Sequence, residues 1–342
     1  MATVKDIAER TGYSRSTISR VLNKDSTFVV SEETRQKIFD CAEELNYDYQ
    51  TKSKKNVVNQ YKDYKVAVVP IGLDLSGQGE LQDPYYLYIR NGVESRLEEM
   101  GFRSVRNIPL HQYSDYKNLE GMDGMIVIGK KKFDEQNIFM SCLKDIVFID
   151  HDYDPQRYDC VLSDFPNAMK LALDYLREGG YKSIGYIGSW DYINDFGSNT
   201  MIRRIDSRQT AYENYMISLS EDYQKHMYIG EKFTAAVGYD LTKQAILSGQ
   251  LPEAFIIGSD PMSIGVYRAF DEYGIKIGTD IGIVSIDGNE DTKYMTPSLT
   301  TVEVHAFQMG RCAVDCLMQQ IDGRKIPIKV VLPVELIAKE SS

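Results

Sequence analysis

Two sets of side chains in this sequence have types and spacings suited to recognition chemistry. In DIAERTGYSRSTISRVLN (6–23), Ile18, Val21 and Leu22 recur at i, i+3 and i+4, which leaves Arg15, Ser16, Ser19 and Arg20 on the other face of one short helix. Exposed guanidinium and hydroxyl groups suit the base edges and phosphates of a duplex, arginine on guanine being the commonest specific pairing. The second set stands at the ends of short apolar runs. Asp150 closes DIVFID, Asp287 closes GIVSID, Ser259 and Asp260 follow AFIIG, and Tyr85 and Tyr86 open a helix in DPYY. Carboxylates accept hydroxyl protons in pairs and flat rings lie on apolar sugar faces, so this set suits a neutral polyol. Each feature has a plainer alternative: a helical hairpin with solvated arginines, an Asp that caps a helix, a Tyr in the core.

The elements that must carry these groups change character along the chain. Thr3 with Asp6 reads as a capping box for a helix over about 4–10, Gly12 supplies a left-handed turn, and Ser14 caps a helix over about 15–22. Ser31 opens a third helix, SEETRQKIFDCAEELNY, with Ile38, Ala42 and Leu45 on its inner side. Three such helices make a helix-turn-helix unit, whose second helix enters the major groove. From residue 65 the period shifts: KVAVVPI, GMIVIG, DIVFID, SIGYIG, AFIIGS and GIVSID are bounded apolar runs of the kind that form buried parallel strands. Between them lie amphipathic stripes, Ile89–Val93–Leu97–Met100 closed by Gly101 and Met169–Ala172–Leu173–Leu176 closed by Gly179. That alternation predicts a doubly wound α/β sensor, long enough for two lobes with a ligand between them at the carboxyl ends of the strands.

Charge divides the same way. The chain carries a net −11, of which residues 1–57 contribute +1 and the remainder −12. An acidic body repels a polyanion everywhere except at one basic-faced end. No apolar run reaches a membrane span and the amino end lacks a signal-peptide pattern, so a cytoplasmic protein without membrane contact is expected. The five cysteines and four histidines show no metal spacing; Cys312 and Cys316 lie one turn apart, and Cys316 joins an apolar stripe with Ala313 and Leu317, which reads as packing. No metal or cofactor is expected. Gly77-Gln78-Gly79 lacks the third glycine of a dinucleotide loop, and neither a phosphate-binding loop nor a serine elbow is present. An Asp150/Asp287 acid pair acting as a glycosidase would turn over a chromogenic galactoside, and no such turnover is expected.

TVKDIAERTGYSRSTISRVLNKDSTFVVSEETRQKIFDCAEELNY resembles the DNA-binding domain of the lac/galactose repressor family, with its SRVLN, S-x-E-T-R and A-x-E-L-x-Y elements in order, and the match continues through the chain. The resemblance implies a homodimeric, sugar-responsive regulator of transcription on double-stranded operator DNA. It places Ser14, Arg15, Ser16, Thr17, Ser19, Arg20 and Asn23 at the DNA. Arg208 in DSRQTAY matches the family's arginine that grips vicinal hydroxyls, Asp287 its sugar-binding aspartate, and Phe233 its aromatic floor. Where relatives have a hinge helix that wedges leucines into the minor groove, this chain has Tyr49 at the proline slot, Ser53 at the alanine and Asn56 at the leucine. Lys52, Lys54 and Lys55 remain to follow the phosphates, in a solvated linker or along the groove. The expected organisation is a head over 1–57, a linker over 58–64, a first lobe over 65–162 and about 300–325, and a second lobe over 163–299 and 326–342. The expected signal is a small sugar, a galactoside or galactose. A purine co-repressor, a phosphoprotein partner and a plain solute-binding protein are the rival readings.

Overall fold

The computed structural model describes residues 3–22, 28, 30–45, 47, 61–70, 84–108, 113–133, 141–195 and 200–342. Asn23, Lys52, Lys54, Lys55 and the hinge positions Tyr49, Ser53 and Asn56 lie outside the described residues. The chain forms two compact units, one of residues 1–64 with 98–104 and one of 65–97 with 105–342.

The first unit holds helices α1 (Val4–Thr11), α2 (Arg15–Leu22) and α3 (Glu32–Glu44). The Thr3–Asp6 capping box is formed, and Gly12 ends α1 at φ 78°, a conformation open to glycine at little cost. Ser31 caps α3 through the Thr34 amide. Ile7, Ile18, Val21, Leu22, Ile38, Cys41 and Ala42 close a core between the three helices, so the inner stripe read from the sequence is the packed one.

The second unit is built on two six-stranded sheets. The first runs β14-β6-β5-β3-β1-β2, from β1 (Lys65–Pro70), β2 (Ser104–Asn107), β3 (Gly124–Ile128), β5 (Asp145–Ile149), β6 (Asp159–Ser163) and β14 (Lys329–Leu332). The second runs β10-β7-β11-β12-β13-β15, from β7 (Ile184–Ser189), β10 (Met227–Gly230), β11 (Ala254–Ile257), β12 (Gly282–Asp287), β13 (Thr300–Glu303) and β15 (Glu335–Ile337). All six apolar runs of the sequence are strands of these sheets, in parallel register with a neighbour. In each sheet the chain adds a strand on one side of the starting strand and then continues on the other. That leaves a switch point between β1 and β3 and a second between β7 and β11, the places where doubly wound sheets hold ligands.

Helix α9 (Ala306–Ile321) covers the first sheet, and α4 (Tyr85–Glu99) packs against α9. Helices α5 (Phe165–Glu178), α6 (Ser207–Ser218), α7 (Ala235–Leu247) and α8 (Asp260–Glu272) cover the second. Helices α4 and α9 cross at Gly92 and Gly310; a Cβ on Gly310 would meet the Ile89 carbonyl at 2.1 Å, so side chains are excluded from that crossing. Among the described residues no helix is long and apolar enough to cross a membrane.

The lobe boundaries differ from the sequence expectation at the carboxyl end. Residues 300–303, expected in the first lobe, extend the second sheet beside β12, and residues 329–332, expected in the second, pair with β6 in the first sheet. The physical reason lies in the strands. β13 begins with two buried threonines rather than an apolar run, and β14 alternates exposed and half-buried residues, so neither carries a pattern that names its sheet. A third, three-stranded sheet, β4 (Lys131–Lys132), β8 (Asp191–Asp195) and β9 (Thr200–Arg204), was not expected.

Candidate functional site

In the head, α2 begins on Ser14, whose hydroxyl accepts from the Thr17 amide at 3.1 Å and lies 2.8 Å from the Ser16 hydroxyl. Ile18, Val21 and Leu22 are buried, and Arg15, Ser16 and Arg20 are exposed on the other side, with Thr17 and Ser19 half-buried. The Arg20 guanidinium lies over the Phe28 ring at 5.1 Å. Arg15 makes no hydrogen bond or ion pair with the described residues. A guanidinium held at a helix start with its donors facing solvent is positioned for a base edge or a phosphate.

In the sensor, the candidate residues gather at the carboxyl ends of the strands. Asp150 follows β5 in a positive-φ conformation (φ 60°) and is buried. Tyr86 donates to its Oδ2 at 2.9 Å and Tyr85 to its Oδ1 at 3.3 Å, both from the first turn of α4. Burial first and the Asp150 charge second push both phenols well above their ordinary range, so they act as donors at any physiological pH. The opposite wall is set by Arg208 at the start of α6. Its Nε and Nη2 donate to the two oxygens of Asp206 at 2.7 and 2.9 Å, and its Nη1 donates to the Gly258 carbonyl, just past β11, at 2.6 Å. The guanidinium lies between two rings, 4.1 Å from Phe233 and 4.6 Å from Phe165. Burial opposes the Asp206 carboxylate, but Arg208 beside it more than offsets that and holds it below the usual range.

The two walls meet. Tyr85 stands 6.1 Å from Phe165, so rings and charges run without a break from Tyr86 through Tyr85, Phe165 and Arg208 to Phe233. Ser259 is buried and its hydroxyl has no hydrogen-bond partner, and neither does the buried Tyr186 hydroxyl next to Gly258. A buried polar atom without a partner is costly, and a bound ligand or water is one way such an atom is satisfied. Asp287, at the end of β12 with φ 138°, accepts from the Asp260 amide at 3.1 Å. Asp150 and Asp287 are therefore both in backbone conformations that L-residues rarely adopt, a form of local strain that clusters at binding sites.

Asp260 is the exception among the expected residues. One of its oxygens accepts from the Asn289 amide at 2.7 Å and the other from the Thr301 hydroxyl at 2.8 Å. Its carboxyl ties α8 to the loop after β12 and to β13, and so is used up inside the second lobe. Burial raises its pKa above the ordinary aspartate value.

Four participants escaped the sequence reading: Lys130, Phe165, Asp191 and Asp206. Lys130 bridges Asp150 at 3.2 Å and Asp191 at 3.3 Å, and although burial opposes its charge, the two carboxylates hold its pKa up at about 12. Asp206 had a readable signal, since an Asp two residues before Arg208 at a helix start is a cap, and its side chain does accept the Arg208 amide at 2.8 Å. Beside Asp150, His151 accepts the Lys131 amide on Nδ1 at 3.3 Å. Burial first and the Lys130 charge second lower its pKa to about 4 from 6.5. The folded value lies below the unfolded one, so this histidine contributes stability present above about pH 6.5 that is lost as pH falls towards 4. The expected NMR result is an His151 imidazole whose shifts stay constant from about pH 7 to pH 5, where an ordinary histidine titrates.

Residues 3–49 match the model of the lacI family of bacterial regulatory proteins, and residues 173–342 match the periplasmic binding protein-like domain. The HTH-type transcriptional repressor MelR of Bacillus subtilis (strain 168) is 37% identical over 343 residues, covering 100% of this chain and 97% of the relative. The HTH-type transcriptional regulator GalR of Streptococcus thermophilus is 36% identical over 100% of both chains. Among solved structures, the lac repressor dimer bound to operator and the anti-inducer ONPF superposes with a TM-score of 0.65 at 22% identity, covering 99% of this chain and 98% of that one. With a three-helix head and a two-lobed α/β unit both present, and with relatives more than 30% identical matched over 97% and 100% of their own length, the chain belongs to the lacI family of bacterial regulatory proteins and is a DNA-binding transcriptional regulator.

Proposed function

We propose that this regulator represses a sugar-utilisation operon as a homodimer on a pseudo-palindromic operator, and that a small neutral sugar, a galactoside or galactose, releases it. The head would read each half-site through Arg15 and the exposed face of α2. The sensor would take the sugar between Tyr85, Tyr86 and Asp150 on one side and Arg208, Phe233, Ser259 and Asp287 on the other.

The observation that carries this reading is the Arg208 arrangement. A guanidinium has five N–H donors, and three are committed to Asp206 and Gly258. The two that remain, one on each terminal nitrogen, form a fork of the spacing that adjacent hydroxyls accept, between two rings that can lie on a pyranose face. The unpartnered Ser259 hydroxyl would find its partner on the ligand. A plain solute-binding protein has no use for the head.

A thermal-shift panel of sugars and purines tests the proposal, the hit being carried into an operator mobility-shift assay. A galactose-configured sugar at a hundredfold excess over its Kd is expected to stabilise the protein by about 2.7 kcal/mol and to release operator DNA. Stabilisation by guanine or hypoxanthine with tighter operator binding would replace the sugar by a purine co-repressor.

A further inference from the structure

The β8–β9 hairpin is inserted between β7 and α6 and is rooted in the second lobe, yet β8 pairs in parallel with β4 of the first. Lys131 faces Asn194 and Lys132 faces Asp195 in that register, and the Asn194 amide donates to the Lys130 carbonyl at 3.2 Å. Within the hairpin Asp191 stands opposite Arg204, so the two share a face. On that face Arg204 reaches Asp191 at 3.4 Å, and Lys130 joins Asp191 at 3.3 Å to Asp150 at 3.2 Å. A continuous chain of charges, Arg204–Asp191–Lys130–Asp150, thus leads from the hairpin to the carboxylate that Tyr85 and Tyr86 hold. Asp150 and Asp191 are both buried, where paired charges bring little net stability.

We infer that this hairpin is a wall of the effector site, and that Asp191, held between Lys130 and Arg204, makes the cleft take an uncharged carbohydrate and refuse its phosphorylated form. The inference rests on the sugar reading above. Three cations, Lys130, Arg204 and Arg208, face four carboxylates, Asp150, Asp191, Asp206 and Asp287, and each cation already lies against a carboxylate. A phosphate would meet a surplus of negative charge with no uncommitted cation in this set, whereas hydroxyls need only the remaining hydrogen-bond capacity. The species sensed is then the sugar before any kinase or phosphoryl-transferring uptake step has acted on it.

Trp190, the sole tryptophan of the sequence, immediately precedes Asp191 and reports binding by its own fluorescence. The full-length protein is titrated with galactose and lactose and with their 6-phosphates. Wild type is expected to bind the uncharged members at least about a hundredfold more tightly, as expected for a charged group placed beside surplus like charge. Asp191→Asn is expected to narrow that ratio at least about tenfold, and Arg204→Gln, a more exposed change of opposite sign, to widen it. Equal binding of phosphorylated and uncharged sugars by wild type overturns the inference and leaves the sugar reading standing. A wild-type ratio left unchanged in both variants overturns the role of the hairpin. Failure of wild type to bind any of the four sugars removes the sugar reading and the inference with it.

Discussion

Arg208→Ala is expected to abolish the response to sugar while leaving operator binding in place, and to lower stability by about 3–5 kcal/mol, the cost of breaking a buried ion pair from one side. Both effects follow from the same geometry. Arg208 satisfies both oxygens of Asp206, which is 2% exposed, and removing it strands that carboxylate in the interior. It also removes the cation between Phe165 and Phe233, leaving two rings with no group to orient a hydroxyl pair. Pairing the change with Asp206→Asn separates the two. The double variant loses the stranded charge and is expected to recover part of the stability, measured by denaturant unfolding, while remaining blind to sugar in titrations. A double variant that regained sugar binding would show that Arg208 serves the fold and not the ligand.

Arg15→Ala is expected to act through the other compact unit, the three-helix head. A lost base contact costs about 1–3 kcal/mol, and on a two-fold operator two heads lose it together, for a total of about 2–6 kcal/mol. The sensor is untouched by this change, so sugar binding followed by Trp190 fluorescence is expected to stay at the wild-type value. Competition with unrelated DNA distinguishes the kind of contact: a base contact lowers the preference for operator, whereas a phosphate contact weakens operator and unrelated DNA alike. An Arg15→Ala protein with undiminished operator preference would remove Arg15 from the reading set.

Elements with a strong period were legible in the sequence, and side-chain destinations were less so. The apolar runs gave the six strands around both switch points, and the caps Ser14 and Ser31 gave the helix starts of the head, because burial and local hydrogen bonds are written in neighbouring residues. The β8–β9 hairpin was not legible. Its strands are short and, apart from the buried Asp191, half-buried or exposed, with no apolar alternation, and β8 finds its partner in β4, some sixty residues upstream. Lys130 and Asp191 were hidden with it, since neither acquires a role until the hairpin brings them together. Asp260 failed in the other direction. A strand-end aspartate beside Ser259 reads as a ligand group, but Thr301 and the Asn289 amide, both distant in sequence, claim its oxygens first. The β13 and β14 exchange has the same origin, because a four-residue strand carries too little pattern to declare its sheet.

The division between a reading head and a sensing body is also an energetic statement. A sugar changes operator occupancy only by its difference in affinity for the two arrangements of the protein, and a full reversal from 1:99 to 99:1 requires about 5.5 kcal/mol. Two sets of contacts span the lobes, Tyr85 against Phe165 and Lys130 between Asp150 and Asp191, and on the proposed function these are the groups that would supply such a difference. The direct measurement is operator affinity of the full-length protein with and without a saturating galactoside, run beside Arg208→Ala. The wild-type protein is expected to lose affinity at least about a hundredfold and the variant to show no change. Wild-type affinity that is indifferent to the sugar, or a variant that responds as the wild type does, would contradict it.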